Sequence, residues 1–167
     1  LGPPKTTNPH DYSRTPGGSS SGSGSAVGTG LVPFSIGSET WGSILSPANN
    51  CGVSGLRPTY GRVSRYGAMA LSWSLDKIGP LCLSADDCGI VLEHISGPDS
   101  RDPSASDNIY AYNHDMPERP FKIAVLSDAT LNADSEVSNN FQHSLQTLGQ
   151  FCDIEEINLP EYPYEAI

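Results

Sequence analysis

The run Gly17-Gly18-Ser19-Ser20-Ser21-Gly22-Ser23-Gly24-Ser25 constrains this chain more than any other feature. Its composition alone fits a flexible linker equally well, because a chain of glycine and serine buries little and orders at a large entropic cost. It leads without a break into Ala26, Val27, Leu31, Val32, Phe34 and Ile36, however, which ties it to an apolar element. Small residues joined to such an element permit close approach of backbones. We expect a short helix over residues 23–30 and a strand over residues 32–36.

The pattern that follows is more regular. Ser46-Pro47 is suited to open a helix as N-cap and first helical residue, and Gly52 to close it, which puts Ser43 just before a helix start. Residues 84–95 predict a helix that begins with Ser84 and Asp87 in a capping-box-like pair and ends near Gly97. Residues 122–127 predict a buried strand. Val137, Phe141, Leu145 and Leu148 share one helix face before Gly149, and residues 152–157 predict a second strand. Strand, helix, strand implies a parallel pair with a right-handed crossover, so the fold class is α/β. Residues 97–119 carry many turn formers and little periodicity, and the expected division is 1–118 and 119–167, two parts of one domain.

Charge and cysteine content narrow the function classes. Nine Lys+Arg against 19 Asp+Glu give a net charge of −10, which disfavours direct nucleic-acid binding. Cys51, Cys82, Cys88 and Cys152 have neither metal-binding spacing nor the density of a secreted disulfide framework, so reduced thiols and a cytoplasmic setting are expected. There is no run of 18 apolar residues and no signal-peptide pattern at the start, so no membrane association is expected. The sequence opens without Met and stops where a new segment could begin, and both ends are read as cut.

Two serine-bearing turns hold the candidate chemistry: Gly17-Gly18-Ser19-Ser20-Ser21-Gly22 and Gly37-Ser38-Glu39-Thr40-Trp41-Gly42-Ser43-Ile44. A serine hydroxyl needs a base to take its proton and donors to hold the oxyanion that forms. Neither turn matches the nucleophile elbow of an α/β-hydrolase. His10, His94, His114 and His143 have no motif around them and read as surface or packing residues.

The stretch PGGSSSGSGSAVGTGLVPFSIGSETWGSILSPANNCGVSGLRPTYGRVSRYG, with TTNPHDYSRTP before it and SWSLDKIGPL after it, resembles the signature region of the amidase-signature family. The resemblance implies a mixed β-sheet flanked by helices, truncated here at both ends. It implies a Ser-cisSer-Lys triad in which Ser43 attacks the amide and Ser19, after a cis peptide bond from Gly18, relays a proton. It also implies an oxyanion hole made of the backbone N–H groups of Thr40, Trp41, Gly42 and Ser43. The family's lysine lies upstream of residue 1; Lys5 stands only 14 positions before Ser19, and Lys77 and Lys122 lie downstream. Trp41, where the family often has glycine, is expected as a wall of the substrate pocket.

Arg57 and Asp76 match common family positions, and the expectation for both is an ion-paired structural role around the site. The resulting function is an amidohydrolase that cleaves a small-molecule carboxamide through an acyl-serine, with no metal or organic cofactor. Leu45, where many relatives have arginine, and Trp41 favour a stand-alone amidase. Two alternatives remain: the glutaminase component of a glutamyl-tRNA(Gln) amidotransferase, with amidotransferase partner subunits, and a non-catalytic scaffold derived from an amidase. These 167 residues alone are expected to be inactive without the lysine.

Overall fold

The computed structural model describes residues 5–115 and 121–160. Two compact units are present, Leu1–His114 and Asp115–Ile167. The first contains helices α1 (Ser21–Gly28), α2 (Leu45–Cys51) and α3 (Ala85–Ile95) and strands β1 (Phe34–Glu39), β2 (Ser54–Gly55) and β3 (Lys77–Cys82).

Strand β3 is central, with β1 and β2 both antiparallel to it, in the order β1-β3-β2. Phe34 pairs with Cys82 and Glu39 with Lys77, so β1 extends three residues beyond the predicted strand end, through Gly37 and Ser38 to Glu39. Ladder pairing with β3 outweighs the low strand propensity of glycine there. Ile44, Ala48 and Leu81 form the core of this unit, with Val53 packed against them. Val27, Cys51 and Cys82 are also fully enclosed.

Helix α1 begins at Ser21, two residues before the predicted start. The Ser21 hydroxyl donates to the Gly17 carbonyl at 2.5 Å, so the serine run itself forms the first turn. The expected close backbone approach is present. A Cβ at Gly24 would sit 3.1 Å from the Pro47 carbonyl oxygen, and one at Gly28 would sit 2.9 Å from that of Cys51. Two side-chain-free positions, one helical turn apart, therefore let α1 lie directly on α2.

Helix α2 starts at Leu45 rather than Pro47, and no side chain of its N-cap residue, Ile44, caps it. Its first N–H groups are taken by the Glu39 carboxylate from β1 instead. Gly52 ends the helix in the left-handed conformation (φ 65°), as its position predicts. Helix α3 matches its expectation closely: Ser84 caps it, accepting from the Asp87 N–H.

The second unit holds β4 (Phe121–Leu126), α4 (Ser135–Leu148) and β5 (Cys152–Ile157). Strands β4 and β5 are parallel, Phe121 opposite Cys152 and Leu126 opposite Ile157, as the strand-helix-strand order implies. One expectation fails: β4 is not buried. Its residues are exposed or half-buried, and α4 has no buried residue despite its apolar face. Two strands and one helix form too small a layer to enclose an apolar surface.

Candidate active site

In the first unit, Ser19 and Ser43 line one cavity of about 400 Å³, together with Ser38, Thr40 and Asp76. The Gly18–Ser19 peptide bond is cis, as the family resemblance implies. The two serine turns are joined through backbone, the Ser20 N–H donating to the Ser43 carbonyl at 3.1 Å.

The remaining hydroxyls of the first turn are engaged elsewhere. Ser20 Oγ donates to the Ser38 carbonyl and accepts from the Ser38 N–H, each at 3.2 Å, which fastens the turn to β1. Ser21 Oγ holds Gly17, and Ser23 Oγ donates to the Ile36 carbonyl at 2.8 Å. Of the serines in the first turn, Ser19 is the one that lines the cavity.

Ser43 is held by a residue that no sequence motif singles out. Glu39, at the end of β1, is 1 % exposed. Its Oε2 accepts from the N–H groups of Ile44 (2.7 Å) and Leu45 (2.9 Å), which closes the turn around Ser43. Its Oε1 lies 3.5 Å from Arg57 Nη1. Burial raises the Glu39 pKa, but hydrogen bonds from Leu45, Ile44 and Gly42 and the Arg57 charge outweigh it, and the net shift is below the ordinary 4.5. A carboxylate that accepts several N–H groups stays ionised even when enclosed. A signal for it exists in the sequence: an acidic residue inside a strand of small residues needs a partner on burial, and Arg57 is expected to be ion-paired.

Asp76 anchors the other side. Its Oδ1 accepts from the Thr40 hydroxyl at 2.5 Å, and its Oδ2 from the N–H groups of Leu71 and Ser72 at 2.7 and 3.0 Å. Burial pushes its pKa up; the bonds from Thr40, Ser72 and Leu71 and the Arg65 charge more than reverse that, so it lies below the ordinary carboxylate value. Asp76 has the structural role expected of it through hydrogen bonds and not, among the described residues, through an ion pair, and Arg57 is ion-paired as expected, with one difference. Its side chain is 49 % exposed, and the buried member of that pair is Glu39.

Thr40 lines the cavity and its carbonyl accepts from Lys77 Nζ at 3.1 Å. Gly42 has φ +101°, a conformation that glycine adopts without cost, while Trp41 before it has an ordinary negative φ. Trp41 is not a wall of the cavity. It is 79 % exposed and outside the lining, because the turn that brings Thr40 and Ser43 inward carries the intervening side chain outward. The tryptophan in the lining is Trp73.

All four cysteines are free thiols, with Cys51, Cys82 and Cys88 buried. Burial and the neighbouring Cys88 thiol push Cys82 up to about 12, so it stays protonated. A ring nitrogen of His10 is hydrogen-bonded to the Cys51 carbonyl at 2.8 Å and one of His94 to the Ile90 carbonyl at 2.8 Å, and both residues are exposed. Among the described residues no group of three or more His, Cys, Asp or Glu is placed to hold a metal ion. No helix of the described residues is long and apolar enough to cross a membrane.

The profile of the Amidase family matches residues 2–166. The chain belongs to the amidase family. It is 45% identical over 165 residues to the A subunit of the glutamyl-tRNA(Gln) amidotransferase of Staphylococcus saprophyticus, an alignment covering 96% of this chain and 34% of that protein. Among solved structures, the A subunit of the glutamyl-tRNA(Gln) amidotransferase of Thermotoga maritima superposes with a TM-score of 0.83 at 38% identity, covering 93% of this chain and 35% of that one. The native peptide amidase of Stenotrophomonas maltophilia superposes with a TM-score of 0.80 at 32% identity, covering 96% and 34%. This amidase-family chain therefore spans about a third of the length of the curated relatives it matches. Stand-alone amidases and amidotransferase subunits share this fold, so membership alone leaves the substrate open.

Proposed function

We propose that the whole protein hydrolyses a carboxamide to a carboxylate and ammonia through an acyl-enzyme on Ser43. The observation that carries this is the presence of Ser19 and Ser43 on one cavity, with the other hydroxyls of the Ser19 turn spent on backbone. Ser43 Oγ attacks the carbonyl carbon while its proton passes to Ser19, whose own proton goes to a neutral lysine. That lysine comes from outside these 167 residues, since Lys77 is bonded to the Thr40 carbonyl and is outside the cavity lining.

The negative oxygen of the tetrahedral intermediate is held by backbone N–H groups of Thr40, Trp41, Gly42 and Ser43. The returning proton leaves with ammonia, and water then releases the carboxylate by the same relay. No cofactor takes part in this scheme, and reduced cysteines suit a cytoplasmic setting.

A second reading is favoured by one observation, the 45% identity to a component of an amidotransferase. Under it the amide is glutamine and the ammonia passes to partner subunits. Trp41 and Leu45, where amidotransferase-like sequences are expected to differ, favour the stand-alone enzyme.

The test is a serine-directed covalent trap applied to the whole protein and read by mass spectrometry. We expect the adduct on Ser43, its loss in Ser43→Ala, and its slower formation in Ser19→Ala, since Ser19 carries a proton and not the new bond. An adduct on Ser19, or undiminished labelling of Ser43→Ala, reverses the two roles or removes them.

A further inference from the structure

Strand β1 ends at Glu39, opposite Lys77, and from Thr40 onward the chain turns toward Ser43. The Thr40 carbonyl therefore lies past the last β1–β3 pair and needs a donor from outside the ladder. Asp76 and Lys77, consecutive residues at the entry to β3, hold Thr40 at two different atoms. Its hydroxyl donates to Asp76 Oδ1 at 2.5 Å, and its carbonyl accepts from Lys77 Nζ at 3.1 Å.

The two holds come from different sides. Successive side chains of a strand leave on opposite faces. Asp76 and Ile78 line the cavity with Ser38 and Thr40, whereas Lys77 between them does not. The Lys77 stem starts on the other face, the one that carries Glu39, its partner in the ladder. Its ammonium thus reaches the Thr40 carbonyl from behind the cavity. Among the described residues the cis peptide bond is Gly18–Ser19, so the Thr40–Trp41 bond is trans. In a planar trans peptide the C=O and the N–H point in opposite directions. A carbonyl held toward Lys77 leaves the Trp41 N–H directed to the cavity side.

This bond acts on the Trp41 N–H in two ways. A hydrogen bond from a cation to the carbonyl is charge-assisted and draws electron density along the peptide, so the N–H becomes a stronger donor. The same bond opposes rotation of the peptide plane, which would put the carbonyl where the N–H is needed. An oxyanion is stabilised best by donors fixed before the charge develops. Both effects grow with the negative charge on the oxygen, so they favour the tetrahedral species over the bound neutral amide.

We propose that Lys77 is a positioning residue for the oxyanion hole: its ammonium, through the Thr40 carbonyl, orients and polarises the Trp41 N–H toward the oxygen that becomes negative when Ser43 attacks. This rests on Ser43 as the nucleophile and on the Trp41 N–H as an oxyanion donor. It gives a task in that reaction to a lysine that is not the base and touches no reacting atom.

The test is the rate at which an alkyl fluorophosphonate labels the whole protein, with the labelled residue located by peptide mass spectrometry. Ser43 Oγ displaces fluoride from phosphorus, its proton passes to the relay, and the phosphoryl oxygen takes up charge as an amide oxygen would. We expect Lys77→Met to lower the maximal labelling rate by about tenfold, while the reagent concentration at half-maximal rate changes by less than about twofold. Lys77 is half-buried and methionine keeps most of its stem, so the fold is retained and the charged head is what is lost. Lys77→Arg keeps a cationic donor for a single carbonyl and should retain at least about a third of the wild-type rate. A wild-type rate in Lys77→Met, an equal loss in Lys77→Arg, or a half-maximal concentration that rises as the rate falls overturns the proposal. Labelling on a residue other than Ser43, or undiminished in Ser43→Ala, instead overturns the nucleophile. Ser43 labelling that is indifferent to Lys77→Met leaves the nucleophile standing and removes Lys77 from the reaction.

Discussion

The two compact units differ in how their regularity relates to their packing. The second has the cleaner secondary structure, two paired strands of six residues and a 14-residue helix, yet α4 contributes nothing buried. The first has short strands, long loops and a helix of seven residues, and its fully enclosed side chains include Ile44, Leu81, Glu39 and Val27. Periodicity reports which face an element would bury. It does not report whether anything is there to bury it against. In the first unit the packing comes instead from close approach at glycine and from hydrogen bonds of enclosed polar groups, neither of which has a period.

If that contrast is physical, thiol chemistry should expose it most strongly. Cys152, in the second unit, is half-buried, while Cys51, Cys82 and Cys88 are enclosed. Labelling with iodoacetamide, followed by peptide mass spectrometry, should modify Cys152 first. Cys82 should react at least about a thousandfold more slowly, since the thiol must await an opening that costs roughly 4 kcal/mol. Comparable rates at Cys152 and Cys82 would mean that the first unit opens as easily as the second.

Glu39 comes next in size. Glu39→Ala strips the Ile44 and Leu45 N–H groups of their acceptor and should destabilise the first unit by about 2–3 kcal/mol, read from the urea midpoint. The pH dependence follows from the lowered pKa. Because the folded value lies below 4.5, the contribution is complete above 4.5 and is lost as the pH falls through the folded value. Wild-type stability should therefore drop on acidification below 4.5 more steeply than that of Glu39→Ala. A parallel decline in the two proteins would show that this carboxylate does not hold the turn.

The smallest effect belongs to α4. Val137 is 56 % exposed, so Val137→Ala should change the urea midpoint of these 167 residues by no more than about 0.5 kcal/mol. A loss above about 1.5 kcal/mol would place a packing partner over that face.

The same contrast explains what the sequence makes legible. The β4-α4-β5 segment can be read nearly residue by residue, because a 3.6-residue apolar period and a parallel crossover are local signals; only its burial differs from the expectation. The serine turns are legible through family resemblance, including the peptide geometry before Ser19. The start of α2 is not, because Ser46-Pro47 looks like a cap, whereas the acceptor comes from Glu39 on a neighbouring strand. Trp41 reads as a cavity wall because it sits beside the candidate nucleophile in sequence. A tight turn separates adjacent side chains, and Trp73, 32 positions further on, lines the space instead.

One pairing in the central sheet has a further consequence. Gly37 and Gly79 lie opposite each other in the β1–β3 ladder. A Cβ at Gly37 would stand 2.8 Å from Ser20 Oγ and 2.9 Å from the Leu81 side chain, and one at Gly79 only 2.2 Å from the Leu56 carbonyl oxygen. The sheet is thus thinnest where the Ser20 hydroxyl rests on it, and the clearance there is smaller than a methyl group. Chain drift at these two positions is consequently one-way. An added carbon at Gly37 would act as a shim beneath the first serine turn, lifting Ser19 relative to Ser43 while every chemically reactive side chain stayed in the sequence.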